Sequence, residues 1–366
     1  MSILLYHTRC DSHRVAATIC KRNSRPMSHN TRRRLLLAAA AASLGSALSR
    51  RARAQSTIAL RISSSLPADP NSAHFIWYQR FAANVSSVAG AKIELQYFPN
   101  SQLGKEADVV QQVKIGSIDM MLTGSSIWAT VAPELGMLDL GYAFDSYPHL
   151  FKALDGGVGE RLGRIVQERT RCTVIGWGAH FGSRSVYTKN AVRNLAEVKG
   201  VKLRVLPTTA FIETFKLIGA IPTPIAFNEL YTALQTGVVD GFEHDPSTVL
   251  STKLYEVSKY CWLTEHLFPP MVAVIGKRGW DKLPETVRPA ILKAAAEATA
   301  FQRAQAVDHG KRAIEELKRL GITYHPMAKA EREQVRREME TKLWSAFATQ
   351  YPPTKSLFEA IAAARA

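Results

Sequence analysis

The chain has 366 residues, which is long for one domain and predicts two lobes. With 46% hydrophobic and 21% charged residues it has the composition of a globular protein, and its formal net charge of +16 makes nucleic acid the first partner to test. Residues 1–54 hold eleven basic residues and one acid, which leaves 36 basic and 30 acidic residues. This near-balanced remainder excludes nucleic acid as the expected partner.

The first 54 residues are interpreted as an export leader. The stretch "TRRRLLLAAAAASLGSALSRRARAQ" has a basic start, an apolar run at 35–48 and small residues that predict cleavage after Ala54. The apolar run is short for a membrane span, and "TRRRLL" resembles a twin-arginine signal, which favours a periplasmic protein. Met27 is the expected true start, and the alternative is a cytosolic protein with a basic tail.

Strand and helix patterns alternate from residue 57 onward. "STIALRISSSLP" predicts a strand, "NSAHFIWYQRFAANVSSVAG" a helix, "KIELQYFPNSQLG" a strand, and "KEADVVQQVKIGSIDMMLTGSS" a helix and a buried strand. This order is typical of an α/β sheet covered by helices, in which ligands bind beyond the carboxyl ends of strands. We therefore expect ligand-binding loops at 63–66, 123–126 and 142–147.

A second set of elements begins near Arg184. "VKLRVLP" predicts a strand, "TTAFIETFKLIGA" and "FNELYTALQTG" predict helices, and "VVDGF" and "MVAVIGK" predict strands. A helical pattern from 284 to 320 is long enough to bridge two lobes, and "AEREQVRREMETKLWSAFATQY" predicts a surface helix. We place lobe I at 57–181 plus about 270–309, and lobe II at 182–269 plus about 310–366.

Known catalytic and metal-binding motifs are missing from the sequence. It has no Gly-rich phosphate loop, nucleophile elbow, HExxH motif or paired-cysteine spacing, so no enzyme, cofactor or metal site is expected. Cys172 and Cys261 remain after the leader. We expect two unpaired buried thiols, with one disulfide as the alternative in an oxidising compartment.

Arg204 is the main candidate binding residue. In "VKLRVL" the strand alternation places Leu203 and Val205 on one face and Arg204 on the other. A buried guanidinium keeps its proton and needs an anion, and one near the carboxyl end of a strand faces the ligand crevice. The pattern alone leaves two interpretations open: a bidentate contact with a ligand carboxylate, or an internal salt bridge.

Several long motifs, in order, resemble the solute-binding receptors of tripartite ATP-independent periplasmic (TRAP) transporters. The residues that carry the resemblance are "GVKLRV", "GAIPTPIAFNELYTALQTGVVDG" and "KLYEVSKY" in 200–260, with "SQLGKEADVVQQVKIGSIDM" at 101–120 and "GSRSVYTKNAVRNLAEVKG" at 182–200. The resemblance covers nearly all of 57–350. It implies an α/β, two-lobed periplasmic-binding-protein-like fold with mixed sheets flanked by helices, the long helix bridging the lobes.

The resemblance also implies a set of ligand-binding residues. The family's carboxylate-clamping arginine matches Arg204, and Arg184 in "GSRSVY" matches a second family arginine. His244 in "DGFEH" replaces an asparagine of the sialic-acid receptors, so sialic acid is not the expected ligand and a group that titrates near neutral pH is introduced. The other residues expected at the ligand are Phe227, Ser65, Thr123, Ser125, Glu243, Trp128, Tyr142 and Phe181, while Asp245 is expected to cap a helix.

The expected function is capture of a small organic acid, such as a hydroxy acid or sugar acid, by a protein that performs no chemistry. Its partners would be the acid and the membrane permease subunits of a TRAP transporter, and a monomer is expected. Two alternatives stay open: a binding protein that feeds a sensor, and an enzyme that uses His244 and Glu243 as acid and base on a carboxylic acid.

Overall fold

A computed structural model describes residues 57–88 and 91–365, so the predicted leader and the cleavage site expected after Ala54 lie outside the described residues. The strands are β1 (Ile58–Ser64), β2 (Ile93–Phe98), β3 (Met120–Gly124), β4 (Thr173–Ala179), β5 (Arg184–Thr188), β6 (Lys202–Val205), β7 (Ile221–Pro224), β8 (Gly241–His244), β9 (Tyr260–Leu267), β10 (Pro270–Ile275) and β11 (Thr323–Pro326).

Helices connect and cover these strands. The α-helices are α1 (Ala73–Ser86), α2 (Glu106–Ile115), α3 (Ser125–Trp128), α4 (Tyr147–Ala153), α5 (Gly159–Thr170), α6 (Thr209–Ile218), α7 (Leu230–Gln235), α8 (Pro246–Ser251), α9 (Lys277–Asp281), α10 (Arg288–Arg319), α11 (Lys329–Glu338), α12 (Ser345–Gln350) and α13 (Lys355–Ala364). Short 3-10 segments at Pro133–Asp139, Phe227–Glu229, Leu254–Glu256 and Pro352–Thr354 and π-helical turns at Leu154–Val158 and Met339–Trp344 complete the path.

The two sheets are both mixed, as the sequence predicted. The first has five strands in the order β2-β1-β3-β10-β4, in which β1 runs parallel to β2 and β3 while β10 runs antiparallel to β3 and β4. Every residue of β10 is buried, which is why its sequence is a continuous apolar run. The second sheet has six strands in the order β11-β9-β5-β8-β6-β7, so this α/β fold has two lobes, one around each sheet.

The long helix α10 joins the two lobes. Its first half buries Ile291 and Ala298 in the apolar core of the first sheet, together with Trp77. Near its end, Leu317 belongs to a separate core in the second sheet, together with Phe242. Thirty-two residues span about 48 Å at 1.5 Å per residue, and the predicted bridging helix is therefore confirmed.

Close backbone contact positions the crossover from β4 to β5. Gly182 has φ +99°, and a Cβ atom on it would lie 2.5 Å from Cγ of Pro246. A Cβ atom on Gly310 of α10 would lie 2.7 Å from Cα of Gly182. Only glycine fits at both places, and the contact draws the ends of β4, β5 and β8 together.

The two cysteines match a further expectation. Cys172 and Cys261 are both buried and unpaired, as predicted. Among the described helices, none combines the length and the apolar character that crossing a membrane requires.

Candidate functional site

Arg204 lies at the carboxyl end of β6, between β7 and β8. Lys202 at the start of the strand is exposed, whereas the Arg204 side chain is 0% exposed. Its Nε donates a hydrogen bond to the Ile225 carbonyl oxygen at 2.8 Å. Within the part of the chain that the structure describes, neither terminal nitrogen of this guanidinium has a hydrogen-bond partner. An unpaired buried charge of this kind is unusual and calls for an anion.

Electrostatics leaves Arg204 charged at neutral pH. Burial and, to a smaller extent, the neighbouring Arg184 charge lower the pKa of Arg204 to about 10, against the opposing effect of Glu243. The guanidinium carbon lies 5.8 Å from the ring centre of Phe227. A cation over an aromatic face is only partly compensated, so the need for an anion remains.

Arg184, at the start of β5, has the partner that Arg204 lacks. Its Nε and Nη2 donate to the two carboxylate oxygens of Glu243 at 2.5 Å each, and Nη2 also donates to the Glu243 carbonyl oxygen at 3.0 Å. Both side chains are buried. Burial alone raises the pKa of Glu243, but the charge and hydrogen bonds of Arg184 lower it to about 2. Glu243 therefore neutralises Arg184.

A small cavity of about 30 Å³ lies where the two lobes meet. Four of the residues expected at the ligand line it: Ser65, Arg184, Phe227 and His244. The other residues around it are Leu66, Glu106, Gly124, Ser126, Ile127, His180, Leu206 and Pro269. Arg204 is not part of this wall, but its guanidinium lies beside the ring of Phe227, which is.

Glu106 is a polar wall residue that the sequence reasoning missed. Its Oε1 accepts hydrogen bonds from the hydroxyls of Ser65 at 2.9 Å and Thr123 at 2.6 Å. Thr123 is fully buried and thus positions Glu106 without lining the cavity. An acid in the first turn of a helix is common on electrostatic grounds, and for this reason its pattern carried no signal for a site.

The remaining predicted contacts lie away from the cavity. Ser125 is buried, with its Oγ 3.4 Å from Oδ1 of Asp139. Trp128 is fully buried in the core, the Tyr142 hydroxyl donates to the Thr264 carbonyl oxygen at 3.2 Å, and the Phe181 ring packs 4.8 Å from His309. Aromatic side chains in loops fill a core as readily as they line a pocket, and their spacing along the chain does not distinguish the two.

A buried group formed by His180, His244 and Asp245 closes one side of the cavity. Asp245 caps α8, as predicted, by accepting from the Thr248 amide at 2.9 Å. Its Oδ2 lies 2.8 Å from Nδ1 of His244 and 3.7 Å from Nδ1 of His180. Burial lowers the pKa of both histidines well below the ordinary value. The expectation that His244 titrates near neutral pH is therefore wrong, because its surroundings exclude water.

Comparison with known proteins identifies relatives over most of the chain. Residues 65–350 match the family described as bacterial extracellular solute-binding protein, family 7 (DctP). An uncharacterized protein of Haemophilus influenzae is 36% identical over 231 residues, 63% of this chain and 70% of that protein. The 2,3-diketo-L-gulonate-binding periplasmic protein YiaO of Escherichia coli is 33% identical over 232 residues, with the same coverage of each chain.

Solved structures have the same fold. The sugar acid binding protein DctPAm from Advenella mimigardefordensis, in complex with galactonate, aligns with a TM-score of 0.78 and 28% identity, over 84% of this chain and 98% of that chain. A TRAP periplasmic solute binding protein from Chromohalobacter salexigens with bound D-glucuronate aligns with a TM-score of 0.77 and 26% identity, over 83% and 99%.

Proposed function

Because the chain belongs to the bacterial extracellular solute-binding proteins of family 7, we propose that it captures an organic acid for a TRAP transporter. The observation that carries this proposal is the buried Arg204 guanidinium, whose terminal nitrogens have no partner among the described residues. A ligand carboxylate would satisfy both nitrogens in one bidentate contact. The protein then passes the acid to membrane permease subunits and performs no chemistry on it.

The charges around the cavity favour an acid with one carboxylate and several hydroxyls. Arg184 is neutralised by Glu243, so among the buried arginines of the described residues near the cavity Arg204 is left for the ligand. Glu106 presents a second carboxylate from the first lobe, which repels another anion and accepts hydrogen bonds from hydroxyls. D-galactonate and D-glucuronate, the ligands of the two solved relatives, have this chemistry. We therefore propose a sugar acid and not a dicarboxylate.

Binding requires the two lobes to move apart and close again. A cavity of about 30 Å³ holds about one or two water molecules, whereas D-galactonate and D-glucuronate each have thirteen non-hydrogen atoms. Closure around the acid excludes water and strengthens its contact with Arg204. The ligand thereby stabilises the closed form, which differs from the open form in the surface that it presents to a permease.

The location, the oligomeric state and the lobe boundaries of the protein are part of the same proposal. The protein is periplasmic after cleavage of the leader following Ala54, acts as a monomer, and uses no cofactor. We propose that lobe I comprises 57–181 and about 270–309, and that lobe II comprises 182–269 and about 310–366.

Isothermal titration calorimetry with three sugar acids, a dicarboxylate and a neutral sugar tests the proposal. We expect the wild type to bind at least one of D-galactonate, D-glucuronate and D-erythronate, and to bind succinate weakly and galactose not at all. Arg204→Met should weaken binding of that acid by roughly 30- to 3,000-fold, because truncating a buried charged hydrogen-bonding partner costs about 2–5 kcal/mol.

A matched control separates this effect from the loss of any arginine. Arg332 pairs with Glu265 at 2.8 Å outside the cavity, so Arg332→Met should leave the affinity unchanged. Binding of galactose without any acid, or full affinity in Arg204→Met, would contradict the proposal.

A further inference from the structure

His180 has a rigidly held backbone at the crossover between the lobes. Its amide donates to the Pro269 carbonyl oxygen at 3.2 Å, and its carbonyl oxygen accepts from the Tyr147 hydroxyl. The Gly182 carbonyl oxygen lies 2.9 Å from the same hydroxyl oxygen and shares its single proton. With the backbone held on both sides, the imidazole is fixed against the cavity, where it is 5% exposed.

The two ring nitrogens of His180 have different surroundings. Nδ1 lies 3.7 Å from Oδ2 of Asp245 and has no hydrogen bond within residues 57–88 and 91–365. Nε2 faces Gly124, where a Cβ atom would lie 3.6 Å from it. Both Gly124 and His180 line the cavity. The absence of a side chain at Gly124 therefore keeps Nε2 accessible from the cavity.

Electrostatics selects one tautomer of this imidazole. Burial lowers the pKa of His180 well below the ordinary value, so the ring is neutral and carries one proton. The Asp245 carboxylate attracts that proton to Nδ1, and the Arg184 charge disfavours a second proton. Nε2 then has a free lone pair, which can accept but cannot donate a hydrogen bond.

We propose that His180 is a specificity-determining residue whose Nε2 accepts a hydrogen bond from one hydroxyl of the ligand, with Gly124 keeping that nitrogen accessible. This inference rests on the proposed function, because it assumes a hydroxylated acid in the cavity. It assigns to His180 a role that differs from the carboxylate contact of Arg204: recognition of a hydroxyl and not of charge.

A thermodynamic cycle that combines protein variants with monodeoxy ligand analogues tests this role of His180. The probes are whichever of D-galactonate, D-glucuronate and D-erythronate the wild type binds most tightly, and its monodeoxy analogues, measured by isothermal titration calorimetry. His180→Phe keeps a ring but has no acceptor. We expect it to weaken binding of the parent acid by about 10- to 100-fold, and to have little effect on one monodeoxy analogue, because that analogue already lacks the hydroxyl.

Two further variants keep the test decisive. Gly124→Ala retains His180 and has an ordinary φ of −69°, but its methyl group would lie 3.2 Å from Oγ of Ser126 and 3.6 Å from Nε2 of His180 and should produce the same selective loss. If His180→Phe does not fold, this variant decides the question. His325→Phe changes a partly buried histidine on β11, outside the cavity, and should leave all affinities unchanged.

The outcomes distinguish the two proposals. An equal loss for every analogue, or no loss, in His180→Phe and Gly124→Ala would overturn the role of His180 while the proposed function stands. A wild type that binds none of the three acids would overturn the proposed function and this inference together.

Discussion

Arg184 and Arg204 are twenty residues apart in the chain, both are buried near the cavity, and their surroundings differ in one respect. Arg184 shares two hydrogen bonds with the Glu243 carboxylate, whereas the terminal nitrogens of Arg204 have no partner among the described residues. On the proposed function, the paired arginine stabilises its lobe and the unpaired one is available to a ligand. The proposal thus assigns a stabilising role to Arg184 and a binding role to Arg204, although a sequence motif presents both as ligand contacts.

Removing the paired arginine should have the largest effect on stability. Arg184→Met leaves Glu243 buried without its partner, and breaking a buried pair in this way costs about 3–5 kcal/mol of unfolding free energy. Urea unfolding followed by circular dichroism measures the loss. The double variant Arg184→Met, Glu243→Met should recover most of it, and a double variant as unstable as the single one would contradict the pairing.

Removing the unpaired arginine should change the unfolding free energy in the opposite direction. Arg204→Met replaces an uncompensated buried charge by an apolar side chain, so the unfolding free energy without ligand should rise by about 1–4 kcal/mol. The same urea experiment measures it, with no ligand present. A loss comparable to that of Arg184→Met would show that Arg204 has an internal partner, and the comparison between the two arginines would fail.

Two buried acids extend the comparison to pH. The pKa of Glu243, beside Arg184, is lowered to about 2, whereas burial raises the pKa of Asp139 to about 8. Oδ2 of Asp139 has no hydrogen-bond partner among the described residues. Asp139 is therefore protonated in the folded protein and ionised in the unfolded chain at neutral pH.

The sign of the effect of Asp139 on stability follows from the number of protons that the folded and the unfolded states bind. Since the folded state binds the extra proton, Asp139 should contribute a fall of roughly 2 kcal/mol in the unfolding free energy from pH 6.5 to 8. The buried neutral histidines, among them His74 with a pKa lowered to about 3, contribute a slope of opposite sign that extends into this range. The test is therefore the difference in unfolding free energy between the wild type and Asp139→Asn, measured by urea unfolding at several pH values, because Asp139→Asn should remove only the Asp139 contribution. An unchanged slope in Asp139→Asn would refute the assignment.

An exposed ion pair across the mouth of the cleft should have the smallest effect. Nζ of Lys105 lies 2.6 Å from Oε1 of Glu229, and both side chains are about half exposed. Glu106, next to Lys105, and Phe227, two residues before Glu229, line the cavity from different lobes. The ion pair therefore joins the two lobes when they are closed. Because water screens the pair, Lys105→Ala should speed ligand release by less than about fivefold at low ionic strength, and not at all at high salt. Stopped-flow measurements at the two ionic strengths check this, and a larger or salt-independent change would mean that exposed pairing matters as much as buried pairing.

The order of the elements was predictable because each depends on local pattern. The strand at Lys202–Val205 and the helix at Thr209–Ile218, ending at Gly219 with φ +97°, follow from alternation, helical spacing and a glycine stop. The strand β8 is an instructive departure: the pattern "VVDGF" predicted a strand over 238–242, and the structure has it at Gly241–His244. Pairing with β5 and β6 sets its limits, and those partners lie far away in the chain.

The sequence by itself determined which residues have the chemistry proposed for acid binding: Arg204 on a strand that is otherwise apolar after Lys202, with Phe227 and His244 later in the chain. Only the tertiary structure decided how they are used. The register that places Val186 opposite Glu243 brings Arg184 to its partner, which is 59 residues away in the chain. The packing of the lobes places His180 and Glu106 in the cavity wall. The same packing leaves Trp128, Tyr142 and Phe181 outside that wall. The physical reason is that local pattern fixes the face of a strand or helix on which a side chain lies, whereas its partner depends on contacts between segments distant in the chain.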